Sequence, residues 1–417
     1  MPFMRKSVRL AAFRQAAGSC ASRFSRVRTS ARVSSAITSR QIASACAFEK
    51  CRVAFSMYLS RTSALLTGLD RDARDLPFGR PAVRADGRGG QRQIGQALAG
   101  RDVFYDLVRK ADIVFDNFGA GVPRRLGIDH DTLAAINPRI VTVSVTGFGE
   151  TGPDTQRPAF DQVVQAMGGG MSITGMGEHA PVRAGIPIGD LGGGIFGTIG
   201  VLAALQQRER TGLGQHVDVS MLDAQVSLLT YMATMHLMSG HVPERIGNSH
   251  FVHVPYNTYQ TSDGHIVIAC IGDAFFARFL QVVKRPELRK PEYLLQPARY
   301  ADRAFIEGVI NEELVRHSSA HWLARLRAAR IPCGPVNDFA QAMADPQIVA
   351  RDMVVEVPMP GGDTVRMPGI PMKFSASGTP AFTAPPTLGR DTGPVLQDLL
   401  GYDAGRIADL RGTGAVA

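Results

Sequence analysis

Between residues 99 and 221, amphipathic stretches alternate with short apolar runs, and that alternation restricts the fold to a parallel sheet flanked by helices. AGRDVFYDLVRKA (99–111) reads as a helix with Phe104, Leu107 and Val108 on one face. It leads into ADIVFDN, a short apolar run of the kind that suits a strand buried in a parallel sheet. IDHDTLAAIN (128–137) is a second helix, stopped by Pro138, and RIVTVSVTGFG is a second buried strand. Phe160 to Met167 reads as helix, and Asp190 opens a long one, DLGGGIFGTIGVLAALQQRERTG, with Gly212 as its C-terminal stop. QHVDVSM supplies a third strand and MLDAQVSLLTYMATMHLM a Met-rich helix, whose methionines suit packing better than a ligand site. The fold class is α/β.

The character changes after about residue 240. PYNTYQTSDGHIVIAC holds two short runs joined by Asp263-Gly264, a hairpin signal. Helical segments follow at 273–283, 301–317 and 319–329, and Ile331-Pro332-Cys333-Gly334-Pro335 reads as a linker. VVEVPMP and TVRMPGIPMKF are extended, and LGRDTGPVLQDLLG closes with a helix. This gives a large α/β domain at 98–222, a smaller inserted α+β domain at 223–330, and a return to the first at 331–417. No run approaches the ~18 uninterrupted apolar residues of a membrane span, so no membrane partner is expected.

Residues 1–97 are of another kind. Up to Phe48 there is no acidic residue, while Arg, Ser and Ala recur. Residues 1–100 carry 18 Lys and Arg against 5 Asp and Glu, leaving 28 against 32 for the remainder. The basic excess therefore lies outside the regular part of the chain, which argues against a nucleic-acid face. An Arg- and Ser-rich, acid-poor start resembles a mitochondrial presequence. The competing expectation is that residues 1–97 are translated out of frame or from a mis-set start. The codons of Gln91 to Ala97, read one base later, can spell an Asn/Lys/Arg-rich stretch, and the encoding DNA decides between the two. Five cysteines without CxxC spacing or clustered histidines indicate neither a disulfide framework nor a metal site, and suit a reducing, cytoplasmic setting.

PIGDLGGG (187–194) is the segment most suggestive of chemistry. Taken alone, an Asp before a helix is most often an N-cap. The three glycines that follow each cost about 1 kcal/mol in a helix relative to Ala, a penalty tolerated where backbone approaches a ligand closely. A carboxylate at the positive end of a helix also stays ionised, as a nucleophile should. Neither this run nor MGGGMSITG (167–175) matches a phosphate-binding motif.

IVFDNFGAGVPRRLGID, VTGFGETGP, RPAFDQVVQAMGG, SITG, IPIGDLGGG, GVLAAL, RERTGLGQHVDVSMLDA, IPCGPVND and PMKFS follow one another in this order. Together they resemble the signature series of the family III coenzyme A transferases, which include formyl-CoA and carnitine CoA-transferases. The resemblance runs from about residue 98 to the C-terminus and implies a Rossmann-like large domain with a parallel sheet, interlocked homodimers, and CoA as substrate with no tightly bound cofactor. It implies Asp190 as the acyl-accepting carboxylate: Asp190 attacks an acyl-CoA thioester, CoA thiolate leaves, and a mixed anhydride remains. The incoming carboxylic acid then displaces the acyl group, and CoA thiolate captures the new aspartyl anhydride. The resemblance also implies Asn117, Phe118, Gly119, Arg125 and Leu126 as the CoA-binding turn and adds Phe160 and Asp161 to the CoA-binding set, Asp161 being alternatively a helix-start or hydrogen-bonding residue. On residue type alone, Asn117 is a strand-end turn residue and Arg125 a solvated charge. The N–H groups of Gly192, Gly193 and Gly194 are expected to face a developing oxyanion. The racemase branch carries histidine where this chain has Phe160, so a racemase reading lacks its second base. A truncated or non-catalytic homologue is the competing reading of a different class, since the family's N-terminal strand–loop–helix is not recognisable in residues 1–97.

Overall fold

The computed structural model describes residues 88–417 except Pro360, Gly361 and Pro380, with side chains from residue 98 onward. The presequence and shifted-frame expectations concern a segment that lies, but for its last ten residues, outside the described residues. Helix α1 spans Arg88–Val108 and so begins well before the predicted start near Ala99. Its first half offers few apolar residues, which leaves no stripe for periodicity to report.

Among the described residues, three parallel strands carry the large sheet: β1 (Ile113–Asp116), β2 (Val141–Thr146) and β3 (His216–Ser220), in that spatial order. Helices α2 (Val122–Leu126) and α3 (His130–Ile136) lie between β1 and β2 in the chain. Helices α4 (Asp161–Met167), α5 (Gly170–Ile173) and α6 (Ile188–Thr211) lie between β2 and β3. Strand β2 is buried at every position but is not apolar at every position. Val141, Val143 and Val145 pack with Val201 and Ala204 of α6. On the opposite face the hydroxyls are all bonded. Thr142 Oγ1 lies 2.9 Å from both His130 Nδ1 and His216 Nδ1, Ser144 Oγ donates to Asp116 at 2.8 Å, and Thr146 Oγ1 accepts from Gly149 N at 2.8 Å. Buried polar groups persist only with such partners.

Glycines give α6 its seat on this sheet. A Cβ on Gly193 would stand 2.9 Å from Val145 Cγ1, one on Gly197 3.3 Å from Phe115 and Val145, and one on Gly200 2.6 Å from Val217 Cγ1. The spacing of four, then three, places all three on one helix face. Close helix–sheet packing thus offsets the low helix propensity at these three positions, of which only Gly193 belongs to the run expected to approach a ligand. Gly193→Ala should destabilise by about 1–3 kcal/mol through overpacking. Gly194, whose Cβ would meet nothing within 4 Å, should gain up to ~1 kcal/mol as Ala. Urea unfolding of the two variants checks this, and equal midpoints would contradict the packing account. By length and composition alone α6 is apolar enough to cross a membrane. A search for uninterrupted apolar runs does not register it, because Asp190 and the glycines interrupt the run.

The Met-rich stretch is two helices, α7 (Met221–Leu228) and α8 (Tyr231–Ser239), broken at Thr230, whose φ of 51° is left-handed. Beyond them β4 (Tyr256–Gln260) and β5 (His265–Ala269) form the predicted hairpin, closed by Thr261 N donating to Gly264 O at 2.9 Å. The predicted linker at 331–335 instead contains β6 (Cys333–Pro335), antiparallel to β5. Its three residues, preceded by Pro332 and ending at Pro335, are too few to show a period. Helices α9 (Asp273–Val283), α10 (Gln296–Ala301), α11 (Arg303–Leu314) and α12 (Ser319–Ala328) complete this unit. Its core gathers Tyr259, Phe276, Phe279, Trp322 and Leu326. After α13 (Phe339–Ala344), α14 (Pro346–Ala350) and the antiparallel pair β7 (Val354–Pro358) and β8 (Thr364–Pro368), the chain ends in α15 (Thr392–Leu400) and α16 (Ala404–Thr413). Leu396, Tyr402 and Ile407 there close over Val103 of α1, so the C-terminal segment returns to the first sheet's neighbourhood.

Candidate active site

In open parallel sheets, ligands meet the carboxyl ends of the strands, where helix N-termini and loops converge. Two of the sequence-selected groups lie at that edge. Gly193 packs on Val145 near the end of β2, and Gly200 packs on Val217 near the start of β3. Helix α6 therefore runs against the strand direction, and its first turn, which carries Asp190, projects past the carboxyl ends. At the same edge Asn117 follows β1 and donates from Nδ2 to Val145 O at 2.5 Å.

Asp190 is not the N-cap. That position is Pro187, which has no capping side chain, and Asp190 sits at the third helical residue with its carboxylate exposed. The cap comes from elsewhere in the chain. Asp161 Oδ1 accepts from Gly189 N at 2.8 Å and from Asp190 N at 3.4 Å, while Asp161 Oδ2 accepts from Gln165 Nε2 at 2.6 Å. Because Asp161 holds the free N–H groups, Asp190 gains none of them, and among the described residues no donor reaches its carboxylate. Partial burial first, and the Asp161 charge second, push the Asp190 carboxyl above the ordinary aspartate range. The helix-end N–H groups expected to favour this carboxylate bond to Asp161 instead.

The glycine expectation also changes. Gly192 and Gly193 are buried and lie beyond the first turn of a helix that starts at Ile188. N–H groups there bond to carbonyls four residues back, so the N–H groups of Gly192, Gly193 and Gly194 do not face an oxyanion.

The turn after β1 is built as a loop with one exposed wall. Phe118 N donates to the buried Asp116 carboxylate at 3.1 Å, and Val122 N donates to Gly119 O at 3.0 Å. Gly121, at φ 78°, starts α2 in a conformation that suits glycine. Burial pushes the Asp116 carboxyl up, against the Ser144 and Phe118 hydrogen bonds that oppose it. Arg125 is exposed in α2 next to Arg124, with Leu126 half-buried beside them. Phe160 stands 81% exposed at the N-cap of α4 and is free to meet a ligand. The structure thus brings Asp161 against the Asp190 backbone and sets Asn117 at the same sheet edge. Among the described residues, no hydrogen bond or ion pair links Asp190 to Phe118, Gly119, Arg125 or Leu126.

Sequence reasoning missed Gln165. It is 2% exposed, accepts from Ala184 N at 3.0 Å through Oε1, and holds Asp161 through Nε2. Its place four residues after Asp161 on one helix was the available signal. Among the described residues, no group of three or more His, Cys, Asp or Glu is placed to hold a metal ion.

Comparison with known proteins shows the family. A family model described as CoA-transferase family III matches residues 96–392. The acetyl-CoA:oxalate CoA-transferase of Acetobacter aceti is 39% identical over 282 residues, 67% of this chain and 71% of that protein. The human succinyl-CoA:glutarate CoA-transferase is 30% identical over 318 residues, 76% of this chain and 73% of that protein. Among solved structures, a CAIB/BAIF family protein from Brucella suis superposes with a TM-score of 0.64 at 34% identity, covering 72% of this chain and 78% of that one. The match to the family model, across the segment that forms all three sheets of the described residues and the Asp190 turn, establishes that this chain is a member of CoA-transferase family III.

Proposed function

We propose that this protein exchanges CoA between an acyl-CoA thioester and a carboxylic acid through a mixed anhydride on Asp190. One observation carries the reading: an exposed, unbonded carboxylate is held on the first turn of a helix at the carboxyl edge of a parallel sheet. Partial burial and then the Asp161 charge push its carboxyl up, which makes its carboxylate more basic and a stronger nucleophile than an ordinary aspartate. In the first step an Asp190 oxygen bonds to the thioester carbonyl carbon, the C–S bond breaks, and the electron pair leaves with CoA as thiolate. The acceptor carboxylate then attacks the Asp190 carbonyl and releases the original acyl group as a carboxylate. CoA thiolate finally attacks the acceptor's carbonyl and frees Asp190. No proton is consumed, and the thioester's free energy is kept as long as water stays out.

The CoA side of the site is Asn117, Phe118, Gly119, Arg125 and Leu126, with Phe160 beside it. Arg125 supplies an exposed cation for a CoA phosphate, and Phe160 an exposed ring for the adenine or pantetheine. The relatives named above act on oxalate and on glutarate, so dicarboxylic acids are the first acceptors to try. Incubating the protein with acetyl-CoA or succinyl-CoA and a panel of dicarboxylates, followed by chromatography of the CoA esters, should reveal a new thioester. Hydrolysis to free CoA without any exchange would refute the transferase reading.

The working form in this proposal is a homodimer. Leu191, Ile195, Ile199 and Leu202 leave an apolar stripe of α6 exposed, while Leu237 and Met238 of α8 and Phe339 of α13 are more than four-fifths exposed. Surfaces of that kind are normally covered in a working assembly. Light scattering that returned the mass of one chain would contradict this part.

A further inference from the structure

We propose that Asp161 and Gln165 form a clamp whose task is to position Asp190, which makes Asp161 a positioning residue and not a CoA-binding one. The inference rests on the reading of Asp190 as nucleophile and adds the device that aims it.

A helix start needs acceptors for its free N–H groups, and α6 lacks them locally. Pro187 at the N-cap has no side-chain oxygen. Ile188 N turns back to Ile186 O at 2.8 Å, and Leu191 N bonds to Pro187 O at 3.0 Å. The two donors between them, Gly189 N and Asp190 N, converge on a single atom, Asp161 Oδ1, twenty-eight and twenty-nine residues away in sequence. The backbone of the nucleophile itself is therefore one of the two groups held.

Gln165 fixes the clamp from behind. Its Nε2 donates to Asp161 Oδ2 at 2.6 Å and to Ile186 O at 3.5 Å, and its Oε1 accepts from Ala184 N at 3.0 Å. One buried amide thus ties α4 to the 184–186 loop that feeds α6. Gly189 permits the approach, since a Cβ there would lie 2.7 Å from Val164 Cγ2 and 2.9 Å from Asp161 Oδ1. The same carboxylate is the charge that acts on Asp190, so the clamp tunes the nucleophile as well as aiming it.

Asp161→Ala, Asp161→Asn and Gln165→Ala test the proposal with two independent readouts. The first is amide hydrogen exchange of the peptide covering 188–191, which needs no activity. It should speed up about ten-fold or more in Asp161→Ala, while β4 and β5 keep wild-type protection. The second is hydroxylamine trapping of acylated Asp190 with acyl-CoA. Its rate should fall about a hundred-fold in Asp161→Ala with KM within about two-fold of wild type, and Asp161→Asn, whose amide oxygen still accepts, should restore part of it. Unchanged exchange at 188–191 overturns the clamp whatever the activity. A raised KM with normal kcat also overturns it and returns Asp161 to the CoA-binding set. If wild-type Asp190 is never acylated, the nucleophile reading falls instead, and the exchange data still judge the clamp.

Discussion

Replacing Asp190 with alanine is expected to lower kcat about a thousand-fold or more while leaving urea stability within about 1 kcal/mol of wild type. The two halves of this expectation have separate causes. Catalysis should collapse because no other carboxylate shares the position: Asp161 is turned into the helix and spent on the Gly189 and Asp190 N–H groups and on Gln165. Stability should barely change, because the Asp190 side chain is exposed and the α6 N-terminus is capped by Asp161. Had Asp190 been the N-cap, its loss would cost ~1 kcal/mol or more and leave the transfer chemistry untouched. The pH profile adds a signed check. A protonated Asp190 is no nucleophile, so turnover should fail as pH drops through its pKa. That pKa is raised by burial and by Asp161, so the acid limb should lie above the range of an ordinary aspartate. In Asp161→Asn the limb should move to lower pH.

The largest stability effect is expected away from the site, at Arg299. This side chain is 0% exposed, and its guanidinium donates to Val254 O at 2.9 Å, Tyr293 O at 2.7 Å, Gln296 Oε1 at 2.7 Å and Asp273 Oδ1 at 2.8 Å. It also lies 4.5 Å over the Phe276 ring. One fork thereby joins the entry to the β4–β5 hairpin, the start of α9 and the turn before α10. Arg299→Met removes every donor and leaves the carbonyls of the buried Val254 and Tyr293 unpaired, which should cost about 3–5 kcal/mol. Arg299→Lys should rescue little, because a single ammonium cannot span the planar fork. The only tryptophan, Trp322, is buried in the same core, so its fluorescence reports the transition directly. A urea midpoint unchanged from wild type would show that the network is ornamental to folding.

The elements that sequence made legible are those set by local rules. Alternating helix and strand signals located β1, β2 and β3, and Asp263-Gly264 located the hairpin turn, because period and turn chemistry act over a few residues. The misses share a different cause. Strand β6 exists only because β5 offers it an edge, and the Thr230 break in the Met-rich stretch has no glycine or proline to announce it. The glycines of α6 were visible, but what they pack against was not. Val145 and Val217 reach them from β2 and β3, so a ligand and a sheet looked alike from the helix alone. Asp190 was identified by its neighbours in sequence, whereas its actual environment depends on Asp161 and Gln165, about twenty-five to thirty residues earlier. The site edge was thus readable as a set of residues, and its electrostatics were not.

Trapping the intermediate tests the central claim most directly. The protein is mixed with an acyl-CoA and hydroxylamine in the absence of an acceptor acid, then digested and its peptides mapped by mass spectrometry. An aspartyl anhydride should be intercepted as a hydroxamate on Asp190, with one equivalent of free CoA released per modified chain and no modification of Asp161. Exchange of CoA between substrates with Asp190 unmodified, or with the hydroxamate on another residue, would contradict the account.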